Sequence, residues 1–528
     1  MNSPADETEV KPLFDNIHIV DTEFTLAEYK VAKKQLKEGK APGEDGITAE
    51  VFKRCDIDDI VLKFANKFLM KNQKPDQWST LNIITVPKKG DLSSTGNYRG
   101  ISLASLTTKL VNRMILNRIR TQLDPHLRYN QNGFRAGRST TSQVLALRRV
   151  IEGVKRNHLP SVMVFIDFRK AFDSIYHQSM FKILEAYGIP KRLVKAISLV
   201  YEGLKAKVLS PDGDTDYFDI HQGVMQGDTL APYLFVIVLD YAMRQALAGR
   251  EEELGFTIRK RQSRRNPAIM ITDLDFADDI ALLSNDINQA RAMVTSVEIE
   301  CAKIGLRMNA KKTKAMFYNV PPQKIETIEG QEIEQALVGS TGEQDFKYLG
   351  SWVDSKDRDI SVRKAAAWQA LNKLGNIWKS DLDMSLKLQL FRATVESVLL
   401  YGSSTWPLTE TEERRLDQTY TRMLRKVHNV TWKDKITNKE LYGDCVKLSS
   451  IIRGRRLQLA GHSFRDQTSP AHHLVIWSPK HGRKARGRPV QTFVDTLLRD
   501  TGLCNIKELE SCMLDRKVWH SLSSVDAR

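Results

Sequence analysis

DLDFADDIALLS, residues 273–284, is a strand pattern interrupted by a pair of adjacent acids. An alternating segment, 267–272, precedes it, and the apolar run 280–283 follows Asp278 and Asp279. The spacing therefore predicts a tight hairpin with two carboxylates at its tip. Neighbouring acids repel and resist ionising together unless a cation neutralises them. The pair reads either as an ordinary Asp-rich turn or as half of a divalent-metal site. A second stretch decides between them. SVMVFIDF, residues 161–168, predicts a buried strand over 162–166 that ends in Asp167. Laid beside the hairpin, that strand lets Asp167 and Asp278 share a pair of magnesium ions, hard cations that take oxygen ligands and not His or Cys. Sites of this kind perform in-line nucleotidyl transfer, which points to a polymerase.

Composition sets the wider limits. At 528 residues the chain has room for roughly three or four domains. Lys and Arg outnumber Asp and Glu by 80 to 64, a formal charge of +16, so a polyanionic partner is expected and nucleic acid fits best. The five cysteines are scattered without a CxxC pair, which implies a reducing compartment. The longest apolar run, 231–239, falls far short of a membrane span, and an intracellular chain is expected. His462, His472, His473, Cys504 and Cys512 lack the spacing of a zinc site.

Other segments supply groups that suit such chemistry. Thr25 and Glu28 predict a capping box opening a helix with Leu26, Tyr29, Ala32 and Leu36 on one face, closed by Gly39. A second helix is expected over 49–71, broken near Asp56. After a short strand at 81–86, Lys88, Lys89 and Arg99 are candidates to face a triphosphate, Arg as a planar fork and Lys as a compact charge. The helix that follows Ser105 is expected to turn Lys109, Arg113, Arg118 and Arg120 outward. In the Gly-rich loop 131–140, Arg135 and Arg138 are candidate phosphate contacts. Phe168 and Phe172 follow the first acid, and a bulky ring at 172 would exclude a sugar 2′-hydroxyl. Gln226 and Gly227 mark a turn that lets backbone approach a nucleotide. Lys312 is a candidate to protonate departing pyrophosphate. The basic run 259–265 reads equally as an exposed loop, a template contact or a nuclear address. Arg486 and Arg488, in RGRP, suggest a minor-groove hook within a basic tail.

Taken together, KAPGEDGI (40–47), NYRGISL (97–103), NGFRAGRST (132–140), FIDFRKAFD (165–173), GVMQGDTLAP (223–232), FADD (276–279), GLRMNAKKT (305–313) and YLG (348–350) stand in a family order. Over about residues 25–355 the chain resembles the reverse transcriptases of LINE-type non-LTR retrotransposons. The resemblance implies an α+β right-hand polymerase with an antiparallel palm sheet. Its expected parts are an N-terminal helical extension (1–80), fingers (81–160), palm (161–355), helical thumb (356–430) and a basic nucleic-acid-binding region (431–528). It implies metal binding by Asp167 and Asp278 with Asp279 as third acid, Mg²⁺ as cofactor with Mn²⁺ able to substitute, triphosphate contacts from Lys88 or Lys89 and Arg99, and Phe172 as sugar gate. RNA template, DNA primer and dNTPs are the expected partners, and the nucleus the expected location. LINE proteins also carry an endonuclease, and no segment here resembles one, nor a ribonuclease H or protease. The chain is accordingly expected to be a fragment or a free-standing derivative. Two other readings stand beside polymerase activity: a binding module that keeps the fold without the chemistry, and a viral RNA-templated RNA polymerase. The latter expects a small polar pocket in place of Phe172 and a glycine where Ala277 stands.

Overall fold

The computed structural model describes residues 12–14, 17–88, 90–339, 342–443, 445–483 and 490–523. At its centre is a five-stranded sheet in the order Glu334–Gln335, Lys314–Tyr318, Ser161–Ile166, Asp279–Ser284, Asp273–Phe276. All pairings are antiparallel except that of the short outer strand Glu334–Gln335. Every residue of Ser161–Ile166 is buried, because both faces of the sheet are covered. Val162, Val164 and Ile166 pack in one core with helices Ala231–Leu247 and Ile287–Lys303. Met163 and Phe165 pack in another with helix Thr140–Asn157. This explains why the strand reads as a continuous apolar run instead of an alternating one.

Asp273–Phe276 and Asp279–Ser284 form the hairpin, with Phe276 opposite Asp279 and Ala277-Asp278 as the turn. The alternating segment before it is not its first strand. Residues Ile269–Ile271 pair with Phe256–Arg259, and the acid-rich tetrapeptide 273–276 enters the central sheet. Asp273 and Asp275 are buried there, each making an ion pair with Arg128, at 2.6 and 3.3 Å. That partner lies in a loop 145 and 147 residues from them in sequence, so no local pattern announces it.

The same loop lines the free edge of the hairpin. Asn132 donates its N–H to the Asp275 carbonyl at 2.9 Å, and Asp275 donates to the Asn130 carbonyl at 3.1 Å. The Gln143 amide donates at 2.8 Å to both carbonyls, those of Asn130 and Asp275. An exposed ladder is thereby closed without another strand. At the tip Ala277 takes a left-handed φ of 54°, a conformation that costs an L-residue roughly 1–2 kcal/mol. Gln131 holds it there, accepting the Ala277 N–H at 2.8 Å and donating to its carbonyl at 3.2 Å. Gly133 lies so close that a Cβ would stand 2.2 Å from the Ala277 nitrogen.

A separate four-stranded sheet has the order Tyr98–Leu103, Thr80–Pro87, Lys205–Leu209, Phe218–Asp219. Ser102 donates its N–H to the Gln226 carbonyl at 2.6 Å, tying this sheet to the turn 223–227. The N-terminal helix runs Leu26–Gln35 with the expected capping box, but Leu36 and not Gly39 caps it, and Leu26 is exposed. The expected break at 56 separates Ala49–Arg54 from Asp58–Lys71. In helix Leu106–Leu123 the expectation of an outward Arg118 is corrected. Its guanidinium is buried against the Phe24 ring, paired with Glu28 at 2.6 Å and bonded to the carbonyls of Val20, Thr22 and Glu23.

Helices dominate beyond residue 355. One core gathers Leu371, Trp378, Phe391, Tyr420, Leu424 and Ile452. Helix Leu448–Arg465 begins in that core and ends in a second one with Leu145, Leu497, Met513 and Trp519. Arg148 joins this region to the sheet, bonding Asp359 at 2.7 Å and Thr405 at 2.7 Å. Among the described residues no helix is long and apolar enough to cross a membrane.

Replacing Gln131 by Ala strands two buried backbone groups of Ala277. We expect Gln131→Ala to destabilise the protein by about 2 kcal/mol, measured by urea unfolding. An unchanged midpoint would mean that the hairpin tip does not depend on this clamp.

Candidate active site

The three acids reach one place from two strands. Asp167 follows Ser161–Ile166 directly, and that strand pairs with Asp279–Ser284 so that Ile166 lies opposite Ile280. The hairpin turn thus sits at the same end of the sheet as Asp167. The segment 305–313 runs alongside and fixes the Asp167 backbone. Asn309 donates its N–H to the Asp167 carbonyl at 2.8 Å and its side-chain amide to the carboxylate at 3.0 Å, while the Asp167 N–H donates to the Thr313 hydroxyl at 3.2 Å. Sequence reasoning did not single out Asn309 and Thr313. Their signal is a short polar pair inside GLRMNAKKT, and a polar pair carries no direction until the strand register is known.

The electrostatics are those of repelling carboxylates held partly out of water. Burial lifts the Asp167 carboxyl above the usual aspartate range, opposed by Lys312, Asn309 and Lys88. Burial and the charge of Asp167 lift Asp278, opposed by its own backbone N–H and by Arg99. Burial, then Asp278 and Asp167, push Asp279 up to about 6. Asp279 has an exposed residue surface, yet the protein around its carboxyl still displaces much of the bulk water, so the shift is upward and moderated by screening. None of the three acids forms an ion pair among the described residues. Lys88, Arg99 and Lys312 are exposed and act on them only through space.

The donor chemistry suits a hard divalent cation. No group of three or more His, Cys, Asp or Glu side chains among the described residues is drawn close enough to hold a metal by itself. Magnesium does not require such a cage, because it commonly binds through one or two carboxylates and keeps water or substrate phosphate as its other ligands.

Phe172 belongs to the short helix Ala171–Ser174 and is half-buried. Its ring stacks on Phe235 at 4.4 Å and meets Phe134 edge-on at 6.2 Å. The turn 223–227 is zipped against it: Val224 donates its N–H to the Phe172 carbonyl and Gly223 to that of Ile175, both at 2.7 Å. Gly227 has φ +120°, and a Cβ there would stand 2.5 Å from the Ser102 carbonyl, so only glycine fits. Gln226 is half-buried, and its amide lies 3.4 Å from Asp173. Asp173, raised by burial and facing Lys170 and Lys88, is a fourth acid at this edge that sequence reasoning passed over.

Other expected contacts are elsewhere. Phe168 is 6% exposed, its backbone bridging that of Met308, and its side chain belongs to the core. The Arg135 side chain is buried, bonded to Asp124 and to the carbonyls of Arg128, Gln131 and Asp124. Arg138 pairs with Asp466 at 3.0 Å and bonds Thr468. Both arginines brace the loop instead of presenting free guanidinium groups. Lys89, Arg486 and Arg488 lie outside the described residues.

Residues 86–353, which contain all three acids, match the family model for reverse transcriptase (RNA-dependent DNA polymerase). The chain belongs to the reverse transcriptase family. It is 27% identical over 385 residues to the Pol polyprotein of retrotransposable element R2 from Popillia japonica, covering 72% of this chain and 51% of that protein. To the R2DM polyprotein of Drosophila melanogaster it is 24% identical over 330 residues, covering 62% and 29%. To the RNA-directed DNA polymerase from mobile element jockey of Drosophila funebris it is 25% identical over 431 residues, covering 77% and 44%. The chain thus spans about half the length, or less, of these curated relatives.

The crowding of acids carries a pH signature. Because the folded pKa of Asp279 lies above its unfolded value, the folded state binds the proton more tightly, and stability is lost as pH rises from about 4 through about 6. In metal-free buffer Asp279→Asn is therefore expected to melt higher than wild type at pH 7.5, with the difference closing at pH 4. A variant that melts lower than wild type at pH 7.5 would contradict the assigned repulsion.

Proposed function

We propose that this chain is an RNA-directed DNA polymerase that extends a DNA 3′-hydroxyl on an RNA template, the reverse transcriptase of a non-LTR retrotransposon. The observation that carries the reading is the set of three acids on adjoining strands, without ion-pair partners among the described residues and under the charge of Lys88, Arg99 and Lys312, within a matched reverse transcriptase region. In this reading the central sheet is the palm, the smaller sheet with Lys88 and Arg99 the fingers, and the helices after residue 355 the thumb. Work on nuclear DNA would place the protein in the nucleus.

Divalent metal is the expected cofactor, with Asp167 and Asp278 as its protein ligands and Asp279 beside them. When bound it would lower the pKa of the attacking hydroxyl and stabilise the leaving pyrophosphate. The remaining work falls to the chain itself. Lys88 and Arg99 balance the triphosphate charge from the fingers side. Lys312 stands next to Asp167 and supplies a proton to the pyrophosphate as it departs. Gln226 and Gly227 let the backbone approach the nucleotide, and the Phe172 ring, held flat by Phe235, occupies the space a 2′-hydroxyl would need.

Purified protein should extend a DNA primer on RNA with Mg²⁺ and dNTPs, and Asp278→Asn should lower the rate about a thousand-fold, the equivalent of several kcal/mol. Equal rates would remove Asp278 from the site. Phe172→Val should shift the preference for dNTP over rNTP by roughly 10–200-fold toward the ribonucleotide, read from kcat/KM for each. Unaltered discrimination would show that the ring only packs against Phe235.

A further inference from the structure

At the end of the central sheet opposite the acids, two basic segments far apart in sequence lie together. Strand Ser161–Ile166 delivers Asp167 at one end, and its other end, about 17 Å away, pairs beside Ser284. There Asn285 donates to the Gly255 carbonyl at 2.8 Å and accepts the Thr257 N–H at 3.1 Å, which fixes strand Phe256–Arg259 at this far end. Trp477 docks on the same strand. Its ring meets Phe256 edge-on at 6.1 Å, and its Nε1 donates to the Ile258 carbonyl at 2.9 Å. Trp477 also lies over Gly153, where a Cβ would stand 2.3 Å from the ring. The chain after it is pinned by Asn157, which donates to the carbonyls of Pro479 and His481 at 3.1 and 3.2 Å.

The consequence is a juxtaposition of cations. Lys260, Arg261, Arg264 and Arg265 follow the strand in an exposed loop closed by a turn, with Gln262 and Ser263 donating to the Asn266 carbonyl. Lys480 and Arg483 are exposed on the neighbouring segment. Lys260 acts electrostatically on His481, and Arg259 on His473, so the two segments share one field. None of the six cations makes an ion pair with a described residue, whereas Arg128, Arg135, Arg138 and Arg148 all do. The nearest acidic run, 251–253, precedes the strand, and its Glu253 is paired with Arg250.

We infer that the 260–265 loop and the 480–483 segment form one surface that holds the phosphate backbone of a nucleic acid strand outside the catalytic cleft. Six such cations, anchored on a rigid strand and a docked tryptophan, suit a partner with repeating negative charge and need no base-specific contact. The choice of nucleic acid among polyanions rests on membership of the reverse transcriptase family, and not on catalysis by this chain. Such a surface would keep template or target engaged while the cleft moves along the primer end.

The test uses the full chain and fluorescent RNA or duplex DNA, with affinity measured across a salt series. A loop variant carries Lys260→Ser, Arg261→Ser, Arg264→Ser and Arg265→Ser, and a tail variant Lys480→Ser and Arg483→Ser. Each should flatten the slope of log K against log salt by about 1 for every cation–phosphate pairing removed. A loop variant with Arg261→Lys, Arg264→Lys and Arg265→Lys should keep the wild-type slope, and melting temperatures should stay within a degree or so of wild type, since all six side chains are exposed. Weakening confined to the RNA or to the DNA arm identifies the strand held here and supports the assignment. Unchanged slope and affinity in both serine variants overturns it. Because binding is read directly, the outcome stands even for a chain inactive in primer extension.

Discussion

Everything at the acid-bearing end of the central sheet depends on the buried guanidinium of Arg128. Burial alone would disfavour its charge, but Asp273, Asp275 and Asp240 more than offset that and hold it firmly protonated. Asp240 accepts the Arg128 N–H at 2.7 Å and is itself held by Tyr187 and Arg244 at 2.6 Å each. The hairpin strand is thereby bound to helix Ala231–Leu247 through charge as well as apolar packing. Breaking a buried pair of this kind costs about 3–5 kcal/mol, because the partner charges are left uncompensated. Burial and the neighbouring Asp273 push the Asp275 carboxyl well above the ordinary range. Asp273 Oδ2 and Asp275 Oδ1 have no hydrogen-bond partner among the described residues, so the network is costly to maintain and specifies one strand position.

From that anchor the loop 128–133 runs along the hairpin edge and ends with Gln131 and Gly133 at Ala277. A left-handed alanine is held in place by a side-chain amide bonded to both of its backbone groups. The turn then presents Asp278 and Asp279 toward Asp167. Two kinds of acid therefore occupy one twelve-residue stretch. Asp273 and Asp275 are neutralised within the protein and shape it, while Asp278 and Asp279 make no ion pair among the described residues. The uncompensated pair stores repulsion that a substrate-borne cation would relieve, and it coincides with the edge where Lys88, Arg99 and Lys312 exert their charge.

Much of this was legible in the sequence for physical reasons. A two-residue turn between strand patterns fixes where Asp278 points, and an all-apolar pentapeptide ending in an acid fixes Asp167 at a strand end. Gly227 was legible as a glycine of close backbone approach, and what it approaches in the fold is the Ser102 carbonyl, 2.5 Å from where a Cβ would stand. Arg135, Arg138 and Arg118 were misread because a guanidinium on a polar loop or helix looks the same in sequence whether it meets solvent, phosphate or a distant carbonyl. Arg138 bonds Asp466 and Thr468, 328 and 330 positions away. Phe168 was misplaced by its neighbour: the chain after Asp167 sends one ring into the core beside Met308 and leaves the next, Phe172, at the surface of the cleft. The strand before the acids was set one element too early, because a tetrapeptide with two buried carboxylates does not resemble a central strand until Arg128 is placed beside it.

The central claim is that Asp167 and Asp278, brought together by adjoining strands, are the protein ligands of the metal that serves nucleotidyl transfer. Anomalous scattering from Mn²⁺, in crystals of the protein with an RNA–DNA primer–template and an unreactive dNTP analogue, tests it most directly. The expected result is a manganese peak in contact with both carboxylates and with the triphosphate. An ordered nucleotide with no manganese at Asp167 or Asp278 would contradict it.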